Sequence, residues 1–365
     1  GVCIDVITLE KQDFDKSLAE EFASKMLQFL NDGMLSLMIS IGYKTRLFDT
    51  MAELEPSTSQ EIAQKTKLNE RYVREWLGAM VTGKIINYDP STEKYYLPKE
   101  HSAFLVRKAG LDNLAVFAQY ISLMGNVEDK IVECFRNGGG LPYSEYPKFQ
   151  LIQAEETARV FDNRLTEQIL QLNPEISNRL RDGIEVLDVG CGRGHAINLM
   201  GKQYPRSKFT GCDISQEAIT TAKEEAKKFG LTNVRFEVKD AILIEELGKF
   251  DLITAFDTIH DQAQPTKVLE AINRSLKNDG FFLMQDIAAS SKVDKNIDSP
   301  LAPSLYTIST MHCMSVSLAY NGEGLGTMWG KEMAIKKLTE LGFKDIEVKN
   351  VEGDIMNYYY ISRKS

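Results

Sequence analysis

The sequence predicts an α/β protein: a doubly wound sheet closed by a terminal antiparallel hairpin, preceded by a mainly helical domain. Three observations carry this. From Ile184 onward, short strand-like stretches alternate with helical patterns, as a parallel sheet requires. The last two such stretches are separated only by residues 352–356, too few for a crossover helix, so they pair antiparallel. Before Ile184, apolar residues recur mostly at helical spacing.

The elements follow in order. Residues from about Phe14 to Leu54 read as helix, broken near Gly33 and Gly42. Ser59 is placed to cap a short helix starting at Gln60, and Asn69 caps a second over Glu70 to Val81. The stretch from Lys84 to Pro98 reads as a hairpin turning at Asp89-Pro90-Ser91. Two helices, a tight turn and a hairpin make a winged helix-turn-helix. Helix is expected again over about Ala103–Phe135 and Leu151–Leu180, interrupted by "NGGGLPYSEYPKF", whose glycines and prolines mark a hinge or lid. Strands are expected near Glu185–Val189, Lys208–Asp213, Val234–Lys239, Asp251–Phe256, Gly280–Asp286, Asp345–Val351 and Asn357–Arg363. The expected division is 1–102 (helical and winged-helix), 103–180 (helical linker with lid) and 181–365 (sheet domain).

Bulk properties exclude several function classes. At 365 residues, two domains or lobes are expected. Hydrophobic residues at 43% and charged residues at 26% describe a soluble globular chain, and no apolar run approaches the roughly 18 residues that span a bilayer. The opening "GVCIDVITLE" has no secretory pattern; Gly1 raises N-myristoylation, but Val6 stands where that signal prefers Ser or Thr. A processed start or a cloning remnant is the expected reading. Cys3, Cys134, Cys191, Cys212 and Cys313 form no CxxC pair and read as free thiols in a reducing, cytoplasmic setting. A net charge of −9 argues against binding a nucleic-acid backbone.

The chemistry centres on "EVLDVGCGRGHAINLM". Gly190, Gly192 and Gly194 give G-x-G-x-G, departing from the G-x-G-x-x-G turn of dinucleotide sites. Asp188, just before the turn, repels a phosphate but pairs with an ammonium group. Asp213 ends the second strand, about 20 residues after the glycines, where a carboxylate grips ribose hydroxyls. Asp240 and Ala241 follow the third strand, beside an adenine. These features fit S-adenosylmethionine, which has an amino-acid end, a sulfonium and no phosphate. A nicotinamide oxidoreductase fails on the glycine spacing.

Together "VLDVGCGRG", "GCDIS", "VKDA" and "FDTIHD" resemble a class I S-adenosylmethionine-dependent methyltransferase, over about Ile184 to Ser365. The terminal pair is similar to that fold's reversed hairpin, the front end resembles that of small-molecule O-methyltransferases, and the whole chain most resembles the winged-helix methyltransferases known from mycobacteria and animals such as nematodes. The resemblance implies a cofactor site of Asp188, Gly190, Gly192, Gly194, Asp213, Ile214, Asp240, Ala241 and Phe256. His260, after the fourth strand, resembles the His of a His-Asp pair that serves as general base in plant O-methyltransferases. Asp261 is placed either to orient that imidazole or to cap the helix beginning at Pro265. His312 and Met311 lie in an insertion that roofs the acceptor site in this fold, with core packing as the alternative for the methionines. Tyr143 and Tyr146 either close over the cofactor or pin the lid to the domain. Two adjacent residues, His312 and Cys313, make no metal site, and no metal is expected.

The expected function is methyl transfer to a small molecule, with a hydroxyl or thiol favoured. A winged-helix regulator sensing S-adenosylmethionine is the rival. From Ser59 to Pro98, six Lys/Arg stand against five Asp/Glu, too balanced for a phosphate-reading surface. Apolar residues before Ser59, among them Met26, Leu30, Met34, Leu37 and Met38, point to a homodimer.

Overall fold

The computed structural model describes residues 13–365; Cys3 and Val6 lie outside them. The described chain divides into two compact units, one ending at Ile121 and the other spanning Ser122–Ser365.

In the first unit, α1 (Lys16–Lys44) and α2 (Leu47–Met51) precede α3 (Ser59–Thr66) and α4 (Glu70–Thr82). Contrary to expectation, α1 runs unbroken through Gly33 and Gly42 and ends at Thr45-Arg46, where Arg46 takes a left-handed conformation. Gly42 is there for packing: a Cβ would come within 2.5 Å of Trp76 and 2.7 Å of Phe48. The cap of α3 is Thr58, one residue before the expected Ser59. Its hydroxyl accepts from the Glu61 amide while Glu61 accepts from the Thr58 amide, a reciprocal box that Ser59 is too late to form. Asn69 caps α4 as expected. Trp76 and Leu77 are buried in the unit's core, and on α4 Arg71 and Arg74 pair with Glu75 and Glu70. Strands β1 (Asn87–Asp89) and β2 (Lys94–Tyr96) form the antiparallel wing. The N-terminal part of α1 keeps its apolar side chains in solvent, with Leu18, Phe22, Leu30 and Met34 all more than half exposed, as is Phe14 just before it.

After α5 (Lys99–Ser102), the helical region expected over about Ala103–Phe135 is a series of short pieces: two 3-10 turns, α6 (Gln119–Gly125) and α7 (Glu128–Asn137). Gly110 breaks the run with a non-helical φ of 58°. The segment expected as helix over Leu151–Leu180 is α8 (Phe149–Arg164), a π turn at Leu165–Ile169, and α9 (Pro174–Asp182), which Asn173 caps.

The second unit holds a seven-stranded sheet. In chain order its elements are β3 (Glu185–Val189), α10 (His195–Gln203), β4 (Lys208–Asp213), α11 (Gln216–Lys228), β5 (Val234–Val238), β6 (Phe250–Phe256), α12 (Pro265–Ser275), β7 (Leu276–Ile287), α13 (Ala302–Ile308), α14 (Met314–Ala319), α15 (Gly330–Glu340), β8 (Phe343–Lys349) and β9 (Asn357–Lys364). The sheet order is β5-β4-β3-β6-β7-β9-β8. β3 to β7 are parallel, while β9 runs antiparallel to both β7 and β8. One face buries Val186, Phe209 and Leu252 against Ile197, Met200 and Ile219; the other buries Ile253 and Phe282 against Leu269, Ile272 and Leu338. Strand order reverses between β3 and β6, and the carboxyl edge at such a switch point is where open α/β sheets bind ligands.

Candidate active site

The glycine turn leaves β3 at that edge. All three glycines have positive φ, 68°, 54° and 76°. A Cβ on Gly190 would meet Thr258 Oγ1 at 2.2 Å, so the turn lies against the loop that follows β6. Gly194 performs the helix-packing role, since a Cβ there would meet Ala222 at 2.5 Å and Phe236 at 2.7 Å. Gly192 faces open space.

Asp213, at the end of β4, ties this turn down. Its carboxylate accepts from the Gly192 amide at 2.9 Å and from the Ser215 amide at 2.9 Å. Burial pushes its pKa up, against the pull of these amides. Asp188 is buried, accepts from Thr254 Oγ1 at 2.8 Å, and burial lifts its pKa to about 7. Beyond Asp213 opens a cleft of about 510 Å³ lined by Ile214, Val238, Lys239, Asp240, Leu243 and Glu245. Asp240 caps the turn that follows through the Ile242 amide, and Ala241 is buried under it. Phe256 ends β6 and packs edge-on against Phe161, with ring centroids 5.1 Å apart. His195, first residue of α10, is held between Glu225 and Asp162; the Glu225 hydrogen bond raises its pKa to about 9.

The donor chemistry fits S-adenosylmethionine. Asp213 has carboxylate lone pairs left that ribose hydroxyls would use, the buried Asp188 carboxyl would be completed by an ammonium, and the cleft beyond is of a size for adenine.

His260 lies in the turn after β6, almost wholly buried. Its Nδ1 is 2.9 Å from Asp286 Oδ1 and 3.7 Å from Asp257 Oδ1. Burial alone would lower its pKa, but the Asp286 charge and hydrogen bond prevail and raise it well above the ordinary value. The orienting partner is therefore Asp286, not Asp261. In this register Phe256 pairs with Gln285, which sets Asp286 across from the turn, while Asp261 acts on His260 only through its charge. Nor does Asp261 cap α12, whose N-cap, Gln264, makes no side-chain capping bond. Burial lifts the Asp261 carboxyl to about 7. Asp257, His260 and Asp286 offer donor atoms within 4.8 Å of one another; the His260–Asp286 hydrogen bond accounts for much of that closeness.

The insertion between β7 and α15 brings in His312, which is fully buried, with burial lowering its pKa to about 3. Its ring stacks on Phe149 at 3.5 Å and meets the Tyr146 ring edge-on at 4.7 Å. The lid is seated on the same insertion. Leu141 donates its amide to Ser315 Oγ, Tyr146 donates its hydroxyl to the Met311 carbonyl, and a Cβ on Gly140 would strike the Ser315 carbonyl at 1.8 Å. Tyr146 is thus an anchor. Tyr143 stands 6.2 Å from both His312 and Tyr320. Asp286, Phe149 and Tyr320 were absent from the sequence-derived site, because each reads alone as an ordinary strand, helix or loop residue.

This fold and this site define a class I methyltransferase. Residues 180–340 match the family model of a methyltransferase domain, and residues 33–107 that of an Rv2258c-like winged HTH domain. The chain thus carries a methyltransferase domain preceded by a winged helix-turn-helix domain. Among curated relatives, (S)-coclaurine N-methyltransferase of Papaver somniferum is 31% identical over 110 residues, covering 30% of this chain and 31% of that one. Ubiquinone biosynthesis O-methyltransferase of Leptothrix cholodnii is 25% identical over 113 residues, covering 30% and 47%. The chain thus spans less than half the length of these two relatives. Human N-acetylserotonin methyltransferase, solved with S-adenosylmethionine, superposes with a TM-score of 0.69 at 19% identity, covering 97% of this chain and 99% of that one. An O-methyltransferase family protein from Burkholderia thailandensis gives 0.67 at 13% identity, covering 94% and 98%. At these identities the likeness is one of fold.

Proposed function

We propose that this chain methylates a small molecule at a hydroxyl or thiol. The observation that carries the reading is the Asp213 carboxylate, fixed by the Gly192 amide at the mouth of a cleft lined by Ile214 and Asp240. Asp188 takes the ammonium end, Asp213 the ribose, and Asp240 and Ala241 flank the adenine, with Phe256 beside the turn. When bound, S-adenosylmethionine supplies a methyl group on a positive sulfur, ready for in-line displacement.

The chain's own residues then position and deprotonate the acceptor. Holding the nucleophile in line supplies much of the acceleration. His260 is the general base, and Asp286 holds its Nδ1–H and stabilises the imidazolium that forms. His312, Met311, Tyr143 and Tyr146 roof the acceptor, giving it a mainly aromatic and thioether lining. The exposed apolar face of α1 supports a homodimer with the winged helix as scaffold. Incubating the protein with methyl-labelled cofactor and a cell extract, then identifying the labelled product by mass spectrometry, tests the reading. Label appearing only in protein or nucleic acid would refute a small-molecule acceptor.

A further inference from the structure

His195 has no part in the chemistry assigned above, yet it is the first residue of α10, directly after the glycine turn. Both of its ring nitrogens face carboxylates. Nδ1 lies 2.9 Å from Glu225 Oε2 on α11, and Nε2 lies 2.6 Å from Asp162 Oδ1 on α8. Only an imidazolium donates from both nitrogens, so the ring is charged. A cation at a helix N-terminus opposes the helix dipole, so this charge does not serve α10 itself. Asn198 of α10 also holds Glu225, through its Nδ2 at 2.9 Å, which leaves Asp162 as the partner that His195 alone engages. α8 carries that partner past both halves of the site. At its start Phe149 stacks on His312; near its end Phe161 packs on Phe256 and Asp162 meets His195. The helix has 16 residues, a rod of about 24 Å. Upstream of it, Gly138 and Gly139 have φ of 73° and 75°, with open space where a Cβ would stand. Downstream it passes into the π turn Leu165–Ile169, whose end residues are buried in the core; π turns of this kind often mark functional bends.

We propose that His195 is a positioning residue that latches α8 across the site, so that order at the glycine turn favours closure of the acceptor roof. This rests on the methyl-transfer reading above and adds how the two halves of that site communicate. Gly192, whose amide Asp213 holds, and His195 belong to one short turn. A ligand that orders this turn also orders the imidazolium. The imidazolium then holds Asp162, the rod of α8 transmits that hold, and Phe149 stays on His312. With the latch released, Phe161 remains in the core while the Phe149 end lifts on its glycine hinge. His312 is fully buried in the closed arrangement, so an acceptor reaches the roof only when that end lifts. The latch must therefore be weak enough to open at each turnover. Asp162 is 54% exposed and suits this, because exposed ion pairs are worth little. Ligand and latch favour the same closed state, and that shared preference is what couples them.

The charged groups facing His195 are Asp162 from α8 and Glu225 from α11, with Lys228 acting on Glu225. Asp162 belongs to neither the cofactor nor the acceptor site, and its exposure lets Asp162→Ala remove the latch without opening the core. Hydrogen exchange of full-length wild type, Asp162→Ala and Asp162→Glu would be followed with and without S-adenosylhomocysteine. In the wild type the ligand should slow exchange in the glycine turn, in α8 and in lid residues 138–148. In Asp162→Ala this protection should survive in the turn and vanish from α8 and the lid. Affinity by calorimetry should fall about two- to fivefold, the range of partly exposed ion pairs. Asp162→Glu, which keeps the carboxylate, should restore both. The Glu225 and Asp162 bonds raise the His195 pKa to about 9, so the pair is complete below the ordinary 6.5 and is lost as pH rises through 9. The affinity ratio of wild type to Asp162→Ala should therefore shrink by pH 10, and taking the ratio cancels the ligand's own titration. Equal protection of α8 in wild type and Asp162→Ala, or a ratio that holds to pH 10, overturns the latch. A ligand that fails to bind the wild type removes the methyl-transfer reading and the latch together. Binding that protects the turn and leaves α8 unchanged removes the latch alone.

Discussion

Replacing Asp188 by Asn separates folding from cofactor binding at one buried atom. In the folded chain this carboxyl titrates at about 7, against 3.8 for an ordinary Asp, because burial penalises the ion. A difference of about 3 units corresponds to about 4 kcal/mol. The folded state holds the proton more tightly than the unfolded chain does. The group's favourable contribution is therefore complete below the unfolded pKa and is lost as pH rises through 7, leaving a buried, costly carboxylate at pH 8. Asn carries no such charge and still accepts from Thr254. Asp188→Asn should thus stabilise the ligand-free protein by up to about 4 kcal/mol at pH 8, less whatever its unpaired amide costs, and by under about 2 kcal/mol at pH 5. Urea midpoints at the two pH values measure this. Binding should move the other way. An ammonium partner needs the ion, so wild-type affinity for S-adenosylhomocysteine should fall about tenfold per pH unit below 7. The variant should bind weakly and show a flatter profile by calorimetry. A variant less stable than wild type at pH 8, or wild-type affinity constant from pH 5 to 8, would refute the reasoning.

Asp213→Ala removes charge-assisted bonds and unpins the Gly192 amide, and should weaken S-adenosylhomocysteine binding by about 1.5–3 kcal/mol, measured by calorimetry; NAD should not bind either protein. His260→Ala should cut turnover about 10²–10⁴-fold. Because Asp286 raises the His260 pKa, the neutral base accumulates only above the ordinary imidazole range, so wild-type rate should climb with pH there and the variant's profile should lose that limb. Leu30→Glu with Met34→Glu places charge on the exposed face of α1 and should convert a dimer into monomers on light scattering; a wild-type monomer at micromolar concentration would remove the dimer altogether.

What the sequence determined by itself was local or periodic. β3 and β4 lie where expected, at Glu185–Val189 and Lys208–Asp213, because a buried parallel strand is a short apolar run whose ends are marked by turn residues. The glycine turn and Asp213 were legible for a similar reason, since a strand-turn-helix confines its chemistry to a few consecutive residues. The terminal antiparallel pair followed from the length of its connection. Glycine inside α1 misled because its meaning depended on a neighbour: Gly42 breaks nothing and makes room for Trp76. The His260 site was half visible. The imidazole was recognised in its motif, but its partner Asp286 comes from the next strand, set opposite by sheet register. His312 lies in an insertion whose fold follows from how it packs on the lid and on α8. Spacing along a chain encodes which side chains share a turn or a face. Which side chains meet across 26 residues, as His260 and Asp286 do, is decided by the packing of whole elements, and only the tertiary structure expresses it.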